Sequence, residues 1–222
     1  MSDVFVVIPA WNEEERIAAT VRAASGLGPV LVVDDGSRDA TARLAREAGA
    51  RVLSTRSNRG KGAALAAGVA ALPDQARYVL FLDADLEASA AHAGPLLAAV
   101  RSGDCAMAIA LPPPQPGGGH GFVVRLARDG IRELTGFEAG APLSGQRCLT
   151  RQAAEAVRYA PRFGTEVALT VDLLRAGYAV AEVPVDLRHR VTGKDWRAQL
   201  HRARQYRDVR LALRKRAKSK TS

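Results

Sequence analysis

Two aspartates one residue apart, Asp83 and Asp85, with Glu87 two residues further on, directly follow the apolar run "YVLFL". Carboxylates crowded in this way repel one another unless something positive sits between them. The apolar run reads as a buried strand of a parallel sheet, and open α/β sheets collect ligands at the carboxyl ends of such strands. Three more strand-like runs end in polar groups. "VFVVIP" closes on Pro9 and leads to Ala10 and Glu13; "PVLVV" leads to Asp34 and Asp35; "RVLST" leads to Lys61 between Gly60 and Gly62. Polar groups arriving in turn at four strand ends build a site for a polar ligand. For Asp34 taken alone, an Asx-type turn that caps the next helix accounts for the residue equally well. "GKGAALAAG" fits neither a dinucleotide fingerprint nor a P-loop, because its glycine and lysine spacings fail both patterns.

These residues need elements to hold them, and strand and helix patterns alternate along the chain. A helix is expected from near "NEEERIAATVRAA", its glutamates suiting the positive end of the helix dipole. "GSRDATARLAREAG" reads as a helix closed by Gly49, "NRGKGAALAAGVAAL" as a glycine-opened helix, and "SAAHAGPLLAAVRSG" as a helix before the strand "CAMAIAL". Such alternation predicts an α/β fold, a mostly parallel sheet with right-handed crossovers and helices on its faces. Residues 112–121, "PPPQPGGGHG", break the pattern and read as a flexible loop. They separate a first half, residues 1–111, from a second, 122–195. The second half holds helices around "FVVRLARDGIREL" and "GTEVALTVDLLRAG" and a strand in "YAVAEVPVDLRHR". The expectation is one domain of two halves, followed by a basic C-terminal helix and tail at 196–222.

The formal charge of +9 is not spread evenly. Ten lysines and arginines follow residue 195 against one acid, Asp208, so the tail carries the whole excess and the body is neutral. A nucleic-acid-binding domain would show a basic face on its body, so no specific nucleic-acid partner is expected. Cys105 and Cys148 stand far apart, and Cys105 in "CAMAIAL" reads as an inert core thiol. The N-terminus shows no signal-peptide pattern, and no apolar run approaches the roughly 18 residues that span a bilayer. A cytoplasmic location is the expectation.

"VVIPAWNEE", "VVDDGSRDAT", "NRGKGAAL" and "LDADLE", in this order and spacing, resemble family 2 glycosyltransferases with the GT-A fold, and within them the dolichyl- or polyprenyl-phosphate sugar transferases. The resemblance covers about residues 4 to 100 and continues more loosely through "LSGQRCLTR" and "GTEVALTVDLLRAGYAVAEVPV". It implies a nucleotide-diphosphate sugar as donor. Pro9, Ala10 and Glu13 would face base and ribose, and Asp35, with Asp34, would accept a hydrogen bond from the base. Trp11 stands where these enzymes usually carry Tyr or Phe. Asp83, Ala84 and Asp85 would meet the diphosphate, with Asp83, Asp85 and Glu87 as ligands of Mg²⁺ or Mn²⁺; hard carboxylate oxygens suit a hard dication. Such an ion stabilises charge on the leaving group, which makes Asp85 catalytic. Lys61 would add a second positive contact to the phosphates.

Two kinds of acceptor stay open. A hydroxyl needs a general base, and Glu166 in "FGTEVAL" is the candidate. A phosphate needs cations instead, and the resemblance of "LSGQRCLTR" to the lipid-phosphate branch implies Ser144, Arg147 and Arg128, the arginine fork matching phosphate geometry. Gln146 departs from that branch, which usually has an aromatic there. The expected reaction is sugar transfer with inversion to a phosphorylated acceptor, such as a polyprenyl phosphate. The alternatives are a soluble hydroxyl acceptor, as in glucosyl-phosphoglycerate synthases, or a nucleotidyltransferase, whose glycine-rich basic loop "PAWNEEE" is not. In the tail, Trp196, Leu200, Ala203, Tyr206, Val209 and Leu213 form one helical stripe. Either the stripe packs on the domain, or the helix lies on an anionic membrane with Arg207 to Lys220 as the free anchor, which would place the protein at the inner face.

Overall fold

The computed structural model describes residues 2–113, 121–161, 164–187 and 196–218, with side chains in the last stretch from residue 203 onward. The loop expected at 112–121 lies almost wholly outside the described residues.

Five βα units open the chain: β1 (Val4–Ala10), α1 (Ile17–Ala24), β2 (Val30–Asp34), α2 (Thr41–Glu47), β3 (Arg51–Ser54), α3 (Lys61–Ala70), β4 (Tyr78–Phe81), a 3₁₀ helix (Glu87–Ala93) running into α4 (Gly94–Arg101), and β5 (Met107–Leu111) with α5 (Phe122–Thr135). There follow β6 (Arg147–Thr150), α6 (Arg151–Ala156), α7 (Thr165–Arg175), β7 (Val180–Pro184) and α8 (Trp196–Lys218). The seven strands lie in the order β3-β2-β1-β4-β6-β5-β7. All pairings are parallel except those of β6, which runs against both β4 and β5. This is the α/β, mostly parallel sheet that the alternating pattern predicts. The inserted β6 is what that pattern does not reveal: "RCLT" is too short to announce a strand, and its place is fixed by pairing with Phe81 and Ile109.

Apolar side chains on the two sheet faces build two cores, as period-2 alternation requires. Val6, Ile8, Val32 and Leu80 meet α1, the 3₁₀ helix and α4. Val7, Val33, Phe81 and Ile109 meet α3, α6 and α7. A third cluster lies off the sheet, where Val123, Ala127 and Ile131 of α5 meet Val167 and Val171 of α7 and Val209 and Leu213 of α8. Cys105 and Cys148 are both buried free thiols, and burial raises the pKa of each.

The first helix starts later than its glutamates suggest. Glu13 to Glu15 lie in turns, and α1 begins at Ile17. Asn12 sits at φ +55, which turns the chain at the end of β1 and postpones the helix. The tail also differs from the anchor reading. The segment expected to be free from Arg207 onward is docked, with Val209, Ala212 and Leu213 buried and Arg216 paired with Asp172 of α7. Burying that apolar stripe against α5 and α7 outweighs leaving it in water. Among the described residues no helix is long and apolar enough to cross a membrane.

Candidate active site

β1, β2 and β3 fan out to one side, whereas the chain after α3 returns to pair β4 on the other side of β1. The crevice at the carboxyl ends of β1 and β4 is therefore the point where strand order reverses, the favoured ligand site of such sheets. A cleft of about 690 Å³ opens there, lined by Pro9, Ala10, Trp11, Glu13, Asp35, Asn58, Gly60, Lys61, Asp83, Ala84, Asp85 and Glu166, together with Leu143, Arg204 and Gln205. Trp11 is 52% exposed and stands in the cleft, not in the core.

Loop contacts fix the walls. Asn12 donates its main-chain N–H to Ser37 Oγ (2.9 Å) and accepts from Arg38 N–H (2.9 Å), tying the loop after β1 to the loop after β2. Thr41 Oγ1 accepts from Glu13 N–H at 2.8 Å. Asp34 and Asp35 divide their work. Asp34 Oδ1 accepts from Ser37 N–H (3.1 Å), the Asx-type turn, and does not line the cleft. The Asp35 carboxylate accepts from Arg59 N–H (2.9 Å) and Gly60 N–H (2.6 Å) and so carries the turn into α3. Gly60 sits there at φ +91, a conformation open to glycine at little cost.

The centre of the site is a charge bridge. Lys61 Nζ, delivered by the first turn of α3, lies 2.6 Å from Asp83 Oδ1 and 2.8 Å from Glu166 Oε1. The two carboxylates raise the Lys61 pKa against the opposing effect of burial, so the ammonium is held charged. Glu166, the candidate base, is only 7% exposed at the start of α7 and is linked to Asp83 through Lys61. Burial first, and then Asp85, push Glu13 up to about 6, with Asp83 adding to the effect and Arg16 opposing it.

β6 explains the other side of Asp83. Because it runs antiparallel to β4, its entry at residues 144–147 rises beside the aspartate motif. Gln146, 1% exposed, donates Nε2–H to Asp83 Oδ2 (3.0 Å) and accepts from Asp83 N–H (3.3 Å). Gly145 packs so closely that a Cβ would collide with Lys61 Nζ and both Asp83 carboxylate oxygens. The sequence marked Gln146 only as a departure from a pattern; its contact with Asp83 becomes visible once β6 is placed.

The remaining expected residues lie elsewhere. Glu87, at φ +50, turns to solvent and pairs with Arg16 at 3.2 Å, outside the cleft lining. The third carboxylate of the expected metal set is therefore not brought to Asp83 and Asp85. Among the described residues no group of three or more Asp, Glu, His or Cys could hold a metal ion by itself. Arg147 is 1% exposed. Its guanidinium donates to Ser144 O (2.8 Å) and Thr170 Oγ1 (2.9 Å), which supports the 142–147 segment from beneath. Arg128 donates to the carbonyls of Ala139 (2.9 Å) and Gly140 (3.1 Å), and Glu182 of β7 accepts from Gly140 and Ala141 N–H. Ser144, Arg128 and Arg147 thus shape one loop, and none of the three lines the cleft. Arg204 and Gln205 do line it, from a helix whose sequence signals only charge and a stripe.

The family model for Glycosyl transferase family 2 matches residues 5–143. The chain belongs to glycosyl transferase family 2. It is 32% identical over 205 residues to the glycosyltransferase AglJ of Haloferax volcanii (86% of this chain, 65% of that protein). It is 31% identical over 214 residues to glucosyl-3-phosphoglycerate synthase of Mycolicibacterium paratuberculosis (83% and 64%). The chain thus spans less than two thirds of the length of these curated relatives. The structure of glucosyl-3-phosphoglycerate synthase of Mycobacterium tuberculosis in complex with Mn²⁺, uridine diphosphate and phosphoglyceric acid aligns with TM-score 0.81 and 28% identity, over 96% of this chain and 78% of that one. The GT-A expectation for the fold is met by this neighbour.

Proposed function

We propose that this family 2 member is a divalent-metal-dependent glycosyltransferase that moves a sugar from a nucleotide-diphosphate sugar to a phosphate-bearing acceptor. The observation that carries it is the meeting of Asp83, Asp85, Lys61 and Glu166 with Pro9, Ala10, Glu13 and Asp35 in one cleft at the strand-order reversal. Pro9, Ala10, Glu13 and Trp11 form the wall for base and ribose, and Asp35 holds the loop that closes beneath them. Mg²⁺ or Mn²⁺ fits this donor set: Asp83 and Asp85 offer hard oxygens one residue apart in the cleft. When bound, such an ion supplies Lewis-acid stabilisation of the charge that builds on the leaving diphosphate. Asp83 and Asp85 would hold such an ion only in part, since among the described residues the protein offers too few ligands for a closed cage.

Lys61 binds a phosphate oxygen of the donor, and in doing so leaves Glu166 free to act. In the transfer, the bond from the anomeric carbon to the diphosphate breaks and its electron pair leaves with the nucleoside diphosphate. The acceptor hydroxyl oxygen bonds to the anomeric carbon, and its proton passes to the Glu166 carboxylate. The burial of Glu166 in the cleft favours an acceptor that attacks through a hydroxyl and bears its phosphate elsewhere. Direct attack by a lipid phosphate would need no base. The mycobacterial neighbour, solved with phosphoglyceric acid, supports the same choice.

Thermal shifts with a panel of nucleotide sugars, with and without Mn²⁺, test the donor reading; transfer to 3-phosphoglycerate and to a polyprenyl phosphate then tests the acceptor. Stabilisation by a particular nucleotide sugar that requires Mn²⁺ and disappears in EDTA is expected. No response to any nucleotide sugar would overturn the proposal.

A further inference from the structure

The cleft contains a cation that the matched family region does not supply. Its lining acids are Glu13, Asp35, Asp83, Asp85 and Glu166, and its lining cations among the described residues are Lys61 and Arg204. Lys61 is held between Asp83 and Glu166 on the donor side. Arg128 and Arg147 spend their donors on the loop beneath. Arg204 is exposed, and no hydrogen bond or ion pair engages it among the described residues.

Its position is built, not incidental. α8 is pinned by Val209 and Leu213 in the third apolar cluster, by the Tyr206 ring against Phe122 at 5.3 Å between centroids, and by Arg216, which pairs with Asp172 and accepts from Arg175 through its carbonyl (2.7 Å). Gly164, just before α7, lets the main chain of Asp208 come close; a Cβ there would stand 2.9 Å from Asp208 O and Ala212 Cβ. Leu143 packs in the same apolar cluster as Tyr206, so α8 meets the cleft on the side of the 142–147 segment.

Building on the glycosyltransferase reading, we infer that Arg204 binds the phosphate monoester of the acceptor, and that α8 is a wall of the active site. An arginine fork matches a phosphate dianion in geometry and charge. Lining the same cleft as Glu166, it holds that phosphate and leaves the hydroxyl end of the acceptor to Glu166.

Calorimetry on the full chain tests this in two stages. Titration with UDP and Mn²⁺ comes first, and its failure on the wild type would remove the donor reading itself. With UDP and Mn²⁺ saturating, inorganic phosphate, 3-phosphoglycerate and farnesyl phosphate are titrated in turn. The wild type is expected to bind at least one of these phosphates. Arg204→Ala should weaken that binding about tenfold or more, Arg204→Lys should recover part of it, and UDP affinity should stay within about twofold. Arg210→Ala, on the exposed face of the same helix, should change neither. A loss confined to 3-phosphoglycerate supports the assignment; one confined to farnesyl phosphate, which has no hydroxyl to present to Glu166, overturns it. The assignment is overturned if Arg204→Ala leaves phosphate affinity unchanged, if Arg210→Ala costs as much, if UDP affinity falls instead, or if an enzyme that binds UDP takes up none of these phosphates.

Discussion

Burial and the carboxylates of Asp85 and Asp83 raise the Glu13 pKa from 4.5 to about 6. The folded chain then holds this proton more tightly than the unfolded one, so stability falls as pH rises between those values and stays lower above them. Glu13→Gln should therefore melt at a higher temperature than the wild type near pH 7.5, with the gain gone near pH 4; identical pH profiles would remove the charge-crowding account. Asp85→Ala acts on the same crowding. It should keep or raise the melting temperature while lowering sugar transfer by several orders of magnitude, because a lost metal ligand costs several kcal/mol of transition-state stabilisation. Retained transfer in that variant, measured by product formation, would sink the metal mechanism. Arg147 behaves differently. With its guanidinium buried and bonded to Ser144 O and Thr170 Oγ1, Arg147→Ala should cost about 3 kcal/mol of unfolding free energy. Denaturant unfolding separates that outcome from the selective rise in acceptor KM that a cleft-facing phosphate clamp would give.

β6 and α8 decide what the cleft contains, although neither dominates its sequence signature. β6 brings Gln146 onto Asp83 because an antiparallel strand enters the sheet where its parallel neighbour leaves it. Gln146→Leu keeps the volume but removes the two contacts to Asp83. The expected result is a fold that still forms and a weaker apparent affinity for Mn²⁺ in the presence of UDP, read by titrating the metal against transfer rate. For α8, truncation after Tyr206 removes Val209, Ala212 and Leu213 and uncovers Ile131, Val167 and Val171. Large buried apolar residues are worth about 2–3 kcal/mol each, so the truncated chain should melt well below the intact one. A truncation with an unchanged melting temperature would restore the view of this segment as a free anchor.

The molecule is a neutral α/β body with a basic helix packed on its second half, and its cleft is lined from four separate strand ends. The alternation of runs such as "VFVVIP", "PVLVV" and "YVLFL" with helical stretches was enough to read the parallel sheet, because buried strands and crossover helices each leave a local apolar pattern. The acidic pair at 83 and 85 was legible as chemistry because charge at the end of an apolar run has no packing explanation; Lys61 stood out by its flanking glycines and Glu166 as a candidate base. Their arrangement was not legible. That Lys61 bridges Asp83 and Glu166, that Glu87 turns to Arg16 instead of the cleft, and that Asp34 closes a turn while Asp35 carries a loop are outcomes of distance and rotamer, which residue types do not encode. The roles of Arg128 and Arg147 were hidden for a related reason. An arginine has the same letter whether its fork meets a ligand or a buried carbonyl, and only the tertiary structure shows which acceptors lie within reach. The same holds for Arg204, whose charge was plain in the sequence but whose place in the cleft is set by the docking of α8 against α5 and α7, through contacts far apart along the chain.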